Sequence, residues 1–388
     1  MNSGKTIFKQ LLQFFPRYEF YKCIARHKGH YKVRKFSCFD QFLCLMYAQI
    51  SGRESLREIE TCLNSHHEKL YHIGFSGRVS KSTIADANES RDYRIFKDFG
   101  SVLIGIAQEL YKNDAFAIDL QQPVFAFDST TIDLCLSLFP WAEFYRTKAA
   151  VKVHTLLDLR GSIPVFVTIT TSKIHDVNML DQLSVPPDSI VTMDRGYIDF
   201  KRLYAIHRKS AFFVIRAKNN LQCRRVYSRV VDKTGGVRAD QTICLTTKKS
   251  AQGYPEHLRR VSYVDNAMKK RFVFLTNNFG IPAQTVADIY KQRWQVELFF
   301  KWIKQHLRVK AFYGTSPNAV KTQIWVALCA YLLIAVVKKR LNLTCTLYTF
   351  LQIIEVNLFE KKPILQVVSD ALKHIQGQET SNQLNLFT

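Results

Sequence analysis

The spacing of apolar residues along the chain first predicts helices. Between about residues 36 and 112, apolar side chains recur at intervals of three and four, as in FDQFLCLMYAQISG and SLREIETCLN, which is typical of amphipathic helices. Ser82 is expected to cap one of these helices, because its hydroxyl can accept a hydrogen bond from an N–H group of the first turn that has no partner within the helix. We therefore expect residues 1–118 to form an all-helical unit.

Beyond residue 118 the apolar residues occur in short runs that are typical of strands. These runs are 123–128, 151–158, 164–170, 190–194 and 212–216. Arg160-Gly161-Ser162 is the expected turn of a hairpin between the second and third runs, and a helical stretch near 200–208 separates the last two. Three strands followed by alternating helix and strand predict a mixed α/β sheet with helices packed on it.

The rest of the chain is predicted to hold a β-rich insert and then helices. Residues 220–280 alternate between apolar and polar at period two, and residues 201–250 carry 13 Lys and Arg but only two acids. A long helix with a capping-box-like Thr-Val-Ala-Asp start is expected from Thr285 to about His306. A hydrophobic helix at about 317–341 and a helical tail complete the predicted order of elements.

The charge balance indicates the class of partner. The 388 residues include 55 Lys and Arg against 32 Asp and Glu, a net charge of +23, and 47% of them are hydrophobic. That hydrophobic fraction is sufficient for a packed core and excludes wholesale disorder. A positive charge of this size favours a polyanionic partner, either nucleic acid or an acidic membrane surface.

Two further features favour nucleic acid over a membrane. The longest apolar run, 324–337, has 14 residues, whereas a helix needs about 20 to span a bilayer, and the N-terminus lacks the pattern of a secretory signal. The nine cysteines are scattered and form no CxxC pair, as expected for reduced thiols in the cytosol. We therefore expect a cytoplasmic protein that binds nucleic acid and no membrane.

Three carboxylates are candidates for chemistry because of where they lie in the predicted elements. Asp128 and Asp194 each end a predicted strand, and Glu297 lies in the middle of the long predicted helix. A buried carboxylate is costly unless it is paired, protonated or bound to a metal. Converging carboxylates suit Mg²⁺ or Mn²⁺. Other acids lie close by in the sequence, so the carboxylates alone leave the metal site open.

The helix around Glu297 carries a polar stripe. At about 100° per residue, Tyr290, Arg293, Glu297 and Lys304 fall within an arc of about 60°. One interpretation is a solvated face on which Arg293 and Glu297 form an ion pair four residues apart. The other is a face turned toward phosphate, with Arg293 and Lys304 binding phosphate and Glu297 completing a metal site. The residues alone leave both interpretations open.

Together these motifs resemble those of a known family. FAFDSTTIDL, TMDRGYIDF and the pattern Tyr-x2-Arg-x3-Glu-x6-Lys are similar to the three signatures of bacterial insertion-sequence DDE transposases. The last pattern resembles the group of the insertion-sequence-four family that is marked by its Tyr-Arg-Glu-Lys signature. The similarity runs from about residue 120 to 340, and residues before it resemble the helical domain that precedes the catalytic core in many such elements.

The resemblance implies a ribonuclease-H-like fold and a mechanism. Asp128 and Asp194 would lie on adjacent strands beside Glu297, and these three residues would hold two Mg²⁺ or Mn²⁺ ions that serve phosphoryl transfer. Tyr290, Arg293 and Lys304 would bind DNA phosphate near the scissile bond. The implied activity is cut-and-paste transposition through hairpin ends, in which a homodimer acts on the double-stranded terminal inverted repeats and on target DNA.

The resemblance also implies a division of the chain. We expect a DNA-binding region at 1–118, a catalytic domain at 119–340 with the β-rich insert at about 220–280, and a helical segment at 341–388. The basic first 40 residues are the candidate for contacting the inverted repeats, and the expected location is the bacterial nucleoid. Further candidate DNA contacts are Lys148, Lys152, Arg224 and Arg225, for which solvated surface charges are the competing interpretation.

Two other functions remain open at this point. One is a catalytically silent relative that only binds DNA. Such a protein would keep the three carboxylates without using them for catalysis. The other is a hydrolytic nuclease on the same fold, which would cut DNA but not join strands. The intact acids count against the silent relative, and the Tyr-Arg-Glu-Lys stripe argues against the hydrolytic nuclease.

Overall fold

The computed structural model of the protein describes residues 4–265, 269–306 and 312–384. Its helices are α1 (Ile7–Leu11), α2 (Arg17–Arg26), α3 (Cys38–Ile50), α4 (Leu56–Asn64), α5 (His67–Ile73), α6 (Lys81–Ser90), α7 (Arg94–Tyr111), α8 (Phe200–Arg208), α9 (Lys248–Gly253), α10 (Ala283–Gln292), α11 (Trp294–His306), α12 (Pro317–Arg340), α13 (Leu347–Asn357) and α14 (Ile364–Leu384). Its strands are β1 (Val124–Leu134), β2 (Glu143–Tyr145), β3 (Lys148–Asp158), β4 (Ile163–Thr171), β5 (Ile190–Met193), β6 (Phe212–Arg216), β7 (Cys223–Arg229), β8 (Val237–Leu245), β9 (Leu258–Asp265) and β10 (Lys270–Thr276).

The chain divides into two compact units. Residues 1–110 and 301–388 form a helical unit, and residues 111–300 form an α/β unit. The C-terminal helices therefore belong to the same unit as the N-terminal helices, whereas the sequence analysis treats residues 1–118 and 341–388 as separate regions.

The helical unit is built around α3 and α12. All 13 residues of α3 are buried, and α12 is long and apolar enough to cross a membrane by length and composition alone. However, 94% of its most apolar window is buried within the structure, as expected of a core helix. Gly100 of α7 lets that helix approach α12, since a Cβ atom at this position would lie 2.9 Å from the ring of Trp325.

The start of α6 differs from the prediction. Ser80, rather than Ser82, occupies the N-cap position, and its side chain makes no capping hydrogen bond. The hydroxyl groups of Ser80 and Ser82 bond to each other instead, at 2.8 Å. The prediction is wrong by two residues because the helix already begins at Lys81, which places Ser82 inside its first turn.

The α/β unit contains one ten-stranded mixed sheet in the order β2-β3-β1-β5-β6-β10-β9-β8-β7, with β4 paired to β3. The hairpin of β3 and β4 is confirmed as antiparallel, and β5 lies parallel to both β1 and β6. Strands β7 to β10, predicted as an insert, continue this sheet, because β10 pairs with β6 in the register Phe274 to Arg216. The predicted mixed α/β architecture is therefore confirmed for this unit.

Candidate active site

A parallel pair of strands brings two aspartates side by side. The register of β1 and β5 pairs Phe127 with Met193, and Asp128 and Asp194 are the next residue along each of these segments. Asp194 follows β5 directly, as predicted. Asp128, in contrast, does not end its strand. Its antiparallel partner β3 continues the pairing as far as Leu134, so β1 extends beyond the point at which β5 stops.

The long helix predicted from Thr285 is interrupted at Arg293. Helix α10 begins two residues earlier than predicted, at Ala283, and ends at Gln292, while α11 begins at Trp294. The Arg293 N–H donates to the Tyr290 carbonyl at 3.2 Å, and the Arg293 carbonyl accepts from Val296 at 3.1 Å. These bonds span three residues rather than four, so the chain tightens locally and the helix is not continuous.

The side chain at this break connects two of the candidate carboxylates. Arg293 donates from Nη1 to Asp128 Oδ2 at 2.8 Å and from Nη2 to Glu297 Oε1 at 2.7 Å. The Tyr290 hydroxyl donates to Asp194 Oδ1 at 3.1 Å. Five of the six residues of the resemblance thus form two hydrogen-bonded sets, which are connected where the Arg293 guanidinium lies 5.6 Å from the centroid of the Tyr290 ring. The ion pair of Arg293 with Glu297, foreseen as the solvated alternative, is present, but the Arg293 side chain is only 13% exposed.

Burial and neighbouring charges shift the pKa values of this group. Burial raises the pKa of Asp128 to about 6; the charges of Glu297 and Asp194 act in the same direction, while the Ser129 N–H and Arg293 oppose it. Burial also opposes the charge of Arg293, but the hydrogen bond with Glu297 and the charge of Asp128 raise its pKa overall. The site therefore concentrates negative charge, and Arg293 compensates it.

A stability prediction follows from the pKa of Asp128. Because this carboxyl has a higher pKa in the folded protein than its ordinary value of 3.8, its ionised form opposes folding. Asp128→Asn is expected to raise the free energy of unfolding at pH 8 by about 2 kcal/mol. This gain in stability should be complete above pH 6. It should decline as the pH falls from about 6 to about 4, because in that range the wild-type carboxyl takes up a proton in the folded state and no longer opposes folding.

The measurement is urea unfolding at pH 8 and pH 4.5, with Asp133→Asn as the matched control. Asp133 lies on the same strand and is exposed, so its variant should change stability little at either pH. A variant Asp128→Asn that is less stable than the wild type at pH 8 would show that the pairing with Arg293 outweighs the cost of burial.

A cavity of about 500 Å³ opens beside Asp194. Its walls include the aromatic rings of Phe272, Phe274 and Trp294 and the guanidinium groups of Arg216 and Arg293. Trp294, which lines the cavity, is 56% exposed. Aromatic faces can stack on nucleobases, and guanidinium groups bind phosphate. These side chains are therefore of the types that can bind a nucleotide.

Comparison with known proteins identifies the family. Residues 119–333, more than half of the chain, match the family described as transposase DDE domain. The chain is also 30% identical, over 71% of its length and 73% of the relative's, to a probable transposase for insertion sequence element IS5377 of Geobacillus stearothermophilus. The chain belongs to the DDE transposases of bacterial insertion sequences.

Other relatives carry similar names. A putative transposase y4zB of Sinorhizobium fredii is 30% identical to this chain, over 73% of this chain and 79% of the relative. A putative transposase for insertion sequence element IS4SA of Synechocystis is 24% identical, over 72% of this chain and 77% of the relative. Residues 3–76 match a domain of unknown function, DUF4372. A solved piggyBac transposase synaptic complex with hairpin DNA aligns at a TM-score of 0.43 and 9% identity, over 94% of this chain and 79% of that one.

The carboxylates of the transposase suit a divalent cation in type but not in their present spacing. Among the residues that the structure describes, no three metal-ligating side chains lie close enough together to hold an ion. Arg293 bonds both Asp128 and Glu297 and so supplies positive charge where a cation would otherwise supply it. For these two carboxylates to ligate an ion, the guanidinium group has to leave them.

The other predicted contacts lie in different settings. Lys304 is half-buried in the part of α11 that belongs to the helical unit. Lys148 is exposed at the start of β3, and Arg224 and Arg225 are exposed on the edge strand β7. Lys152 is only 14% exposed and pairs with Asp176 at 3.2 Å, so its charge is already compensated.

Sequence reasoning missed a polar cluster behind Asp128. Ser129 donates its N–H to Asp128 at 2.8 Å, and its hydroxyl donates to Asp176 at 2.9 Å. His154 is fully buried beside this cluster, 3.7 Å from Asp176, and burial lowers its pKa to about 4, so the ring is neutral at pH 7. Consecutive residues of a strand point to opposite faces. This alternation puts Ser129 on the face of β1 opposite to Asp128, and it is the sequence signal that could have indicated the cluster.

Proposed function

We propose that this transposase binds the terminal inverted repeats of its insertion sequence and catalyses metal-dependent DNA cleavage and strand transfer. The observation that carries the proposal is the connected group of Asp128, Asp194, Tyr290, Arg293 and Glu297. Strands and helices from separate parts of the chain place these five side chains together. Membership of a family of DNA-cutting and strand-joining enzymes supports the same conclusion.

The three carboxylates are the proposed catalytic and metal-binding residues. Asp128, Asp194 and Glu297 would hold two divalent ions, Mg²⁺ or Mn²⁺, which when bound stabilise the charge on the attacking and leaving oxygens of an in-line displacement. The raised pKa of Asp128 supports this assignment, because a buried carboxylate near two others is stabilised by added positive charge.

Arg293, Tyr290 and Lys304 are the proposed phosphate-binding residues. When Arg293 leaves Asp128 and Glu297, its guanidinium fork can donate two parallel hydrogen bonds to a phosphate. Tyr290 would orient Asp194 through its hydroxyl and face the DNA from the wall of the cavity. Lys304 would add a point charge.

The proposed reaction has four phosphoryl-transfer steps. Attack of water on the scissile phosphorus breaks the bond to the 3′-oxygen and releases a 3′-OH at the transposon end. That 3′-OH attacks the phosphorus of the opposite strand, which gives a hairpin as the bond to the flanking DNA breaks and its 3′-oxygen leaves. Water then attacks the hairpin phosphorus and releases the 3′-OH again, and this 3′-OH attacks a target phosphorus while the target's own 3′-oxygen leaves. The carboxylates hold the same place in each step, since every step is a phosphoryl transfer at DNA.

Residues 1–40 are the proposed region that reads the inverted repeats. Tyr18 and Tyr31 are 71% and 73% exposed, and each ring has a lysine beside it, Lys22 at 4.3 Å and Lys32 at 5.2 Å. Alternating cations and exposed rings suit the backbone and sugars of DNA. This surface lies within the residues that match the domain of unknown function.

Further parts of the proposal concern architecture and location. The two aspartates on adjacent strands beside a helix that carries Glu297 support a ribonuclease-H-like core. The spacing of Tyr290, Arg293, Glu297 and Lys304 supports membership of the insertion-sequence-four group. We further propose that a homodimer pairs two transposon ends, that residues 1–118, 119–340 and 341–388 serve as DNA-binding, catalytic and accessory regions, and that the protein acts at the bacterial nucleoid.

The deciding experiment is a cleavage and joining assay. Duplex DNA carrying the ends that flank the gene and a scrambled duplex are incubated with the wild-type protein and Mg²⁺ or EDTA. We expect cuts at the element end that require the metal, followed by joined products with target plasmid. Binding without cutting would favour the silent relative, and cutting without joining would favour a hydrolytic nuclease.

A further inference from the structure

A second cavity, of about 370 Å³, lies at the end of β6 and is strongly cationic. Its charged lining residues are Arg216, Lys218, Arg260 and Arg271. The rest of the lining is neutral and consists of Ala217, Asn219, Leu221, Cys223 and Val273. No carboxylate belongs to the lining, so this cavity differs from the candidate active site, in which Arg293 is compensated by two acids.

Two of the four cations are held by neutral hydrogen-bond partners. Arg260 donates from Nη1 to the side-chain oxygen of Gln241 at 2.9 Å, and Arg271 donates from Nε to the Ser262 hydroxyl at 3.0 Å. Within the described ranges, none of the four cations forms an ion pair. The neutral partners fix the direction of the guanidinium groups without cancelling their charge. The cavity therefore keeps a positive potential for a ligand.

Strand pairing explains why these side chains meet. In the antiparallel pair of β9 and β10, Arg260 lies opposite Leu275 and Ser262 lies opposite Val273. Arg271 is two residues before Val273, so all of these positions share one face of the sheet. A phosphate group fits this arrangement best, because guanidinium forks match its oxygens and an anion offsets the charge of neighbouring cations.

The cationic cavity adjoins the candidate active site through shared residues. Arg216 lines both this cavity and the one beside Asp194. Lys218 also lines a third cavity together with Arg195 and Gly196, which directly follow Asp194 in the chain. A strand whose phosphate lies at Asp194 can therefore continue over β6 to the cationic cavity.

We propose that Lys218, Arg260 and Arg271 form a second phosphate-binding subsite, which holds a backbone phosphate of the DNA strand that passes through the active site. The subsite is distinct from the place of the scissile phosphate and serves to fix the course of the strand beyond it. This inference rests on the proposed function in taking DNA as the substrate. Its chemistry recognises phosphate and not base sequence.

The test compares salt dependence of DNA binding in matched variants. Arg260→Gln/Arg271→Gln removes two charges from the subsite and Lys218→Gln removes one. Arg208→Gln/Lys209→Gln and Lys209→Gln are the matched double and single controls at the opposite end of β6, where both residues are exposed. Binding constants are measured from about 50 to 200 mM salt on end-carrying and scrambled duplexes. The double variant should lower the slope of log K against log salt by about 1, equally on both duplexes, and the controls should lower it less.

Two outcomes overturn the proposal. Equal slopes for the double variant, Lys218→Gln and the controls would show that no DNA phosphate binds in this cavity. Inorganic phosphate that binds to the wild type but not to the double variant, without any change in DNA slope, would assign the cavity to free phosphate and contradict the proposal. Lys218 lies in an exposed loop, so its variant gives a result even if the double variant fails to fold.

The same measurements separate this proposal from the proposed function. If the wild type cuts element ends with Mg²⁺ while the subsite variants bind DNA like the controls, the subsite is wrong and the function stands. If the wild type does not cut DNA but the subsite variants show a smaller salt dependence of DNA binding than the controls, the phosphate subsite is supported and the protein binds DNA without catalysis.

Discussion

Asp128→Asn, Asp194→Asn and Glu297→Gln are each expected to lower the rate of end cleavage by at least about 10³-fold, with duplex binding retained. Each change removes the negative charge of a proposed metal ligand while keeping the shape of the side chain. The three side chains meet in one group with Arg293 and Tyr290, so the loss of any one of them should disable the same step. The measurement is single-turnover cleavage of end-carrying duplex with saturating Mg²⁺.

Matched acids provide the controls for this prediction. Asp133 lies on the same strand as Asp128 and is exposed, and Asp288 lies on α10, one turn before Arg293. Asp133→Asn and Asp288→Asn change the net charge by the same amount and should cut at close to the wild-type rate. Cleavage that survives any one of the three substitutions would remove that residue from the catalytic group.

The sequence was sufficient to find these acids because the required information is local. An aspartate after an apolar, strand-type run and a carboxylate within a helical polar stripe can both be read from short segments. The position of the two aspartates on adjacent strands was implied only by the resemblance to the DDE transposases. The length of β1 could not be read from a short segment, since it depends on the pairing of β1 with β3 as far as Leu134.

Two features of the candidate site could not be predicted from the sequence. The break at Arg293 lies between two segments of good helical pattern, and neither glycine nor proline marks it. The continuation of the main sheet through β10, β9, β8 and β7 depends on the pairing of Arg216 with Phe274. The continuation of the sheet arises from contacts between residues that are far apart in sequence, which periodicity does not record. The local three-residue hydrogen bonds at Arg293 leave no mark on the apolar pattern either.

The two bonds of the Arg293 side chain have a functional consequence. The side chain bonds acids on both α11 and β1, while its backbone keeps helical dihedral angles (φ −51°, ψ −30°). Arg293 then has two sets of partners: the carboxylates in the present structure, and DNA phosphate in the proposed complex. We expect a divalent ion to compete with Arg293 for Asp128 and Glu297, and DNA phosphate to favour release of the arginine.

Arg293→Ala is expected to separate these two roles. Without divalent ions, the free energy of unfolding at pH 8 should fall by about 3 kcal/mol, because a largely buried pairing is broken and both carboxylates lose their counter-charge. The loss should be smaller at pH 5, since the pKa of Asp128, already about 6, lets that carboxyl take up a proton in the folded state. Mg²⁺ or Mn²⁺ should restore more stability to the variant than to the wild type, because the ion no longer displaces an arginine.

Cleavage by Arg293→Ala should nevertheless fall by roughly 10²- to 10³-fold even with saturating metal, because a donor to the phosphate is missing. Arg293→Lys keeps the charge but not the fork, so it should recover much of the stability and little of the rate. Thermal unfolding with and without Mg²⁺ and single-turnover cleavage measure the two effects on the same preparations. If Mg²⁺ stabilised wild type and Arg293→Ala equally, competition between arginine and metal for the carboxylates would be excluded. Arg293 would then be a structural cation, and another residue would have to bind the phosphate.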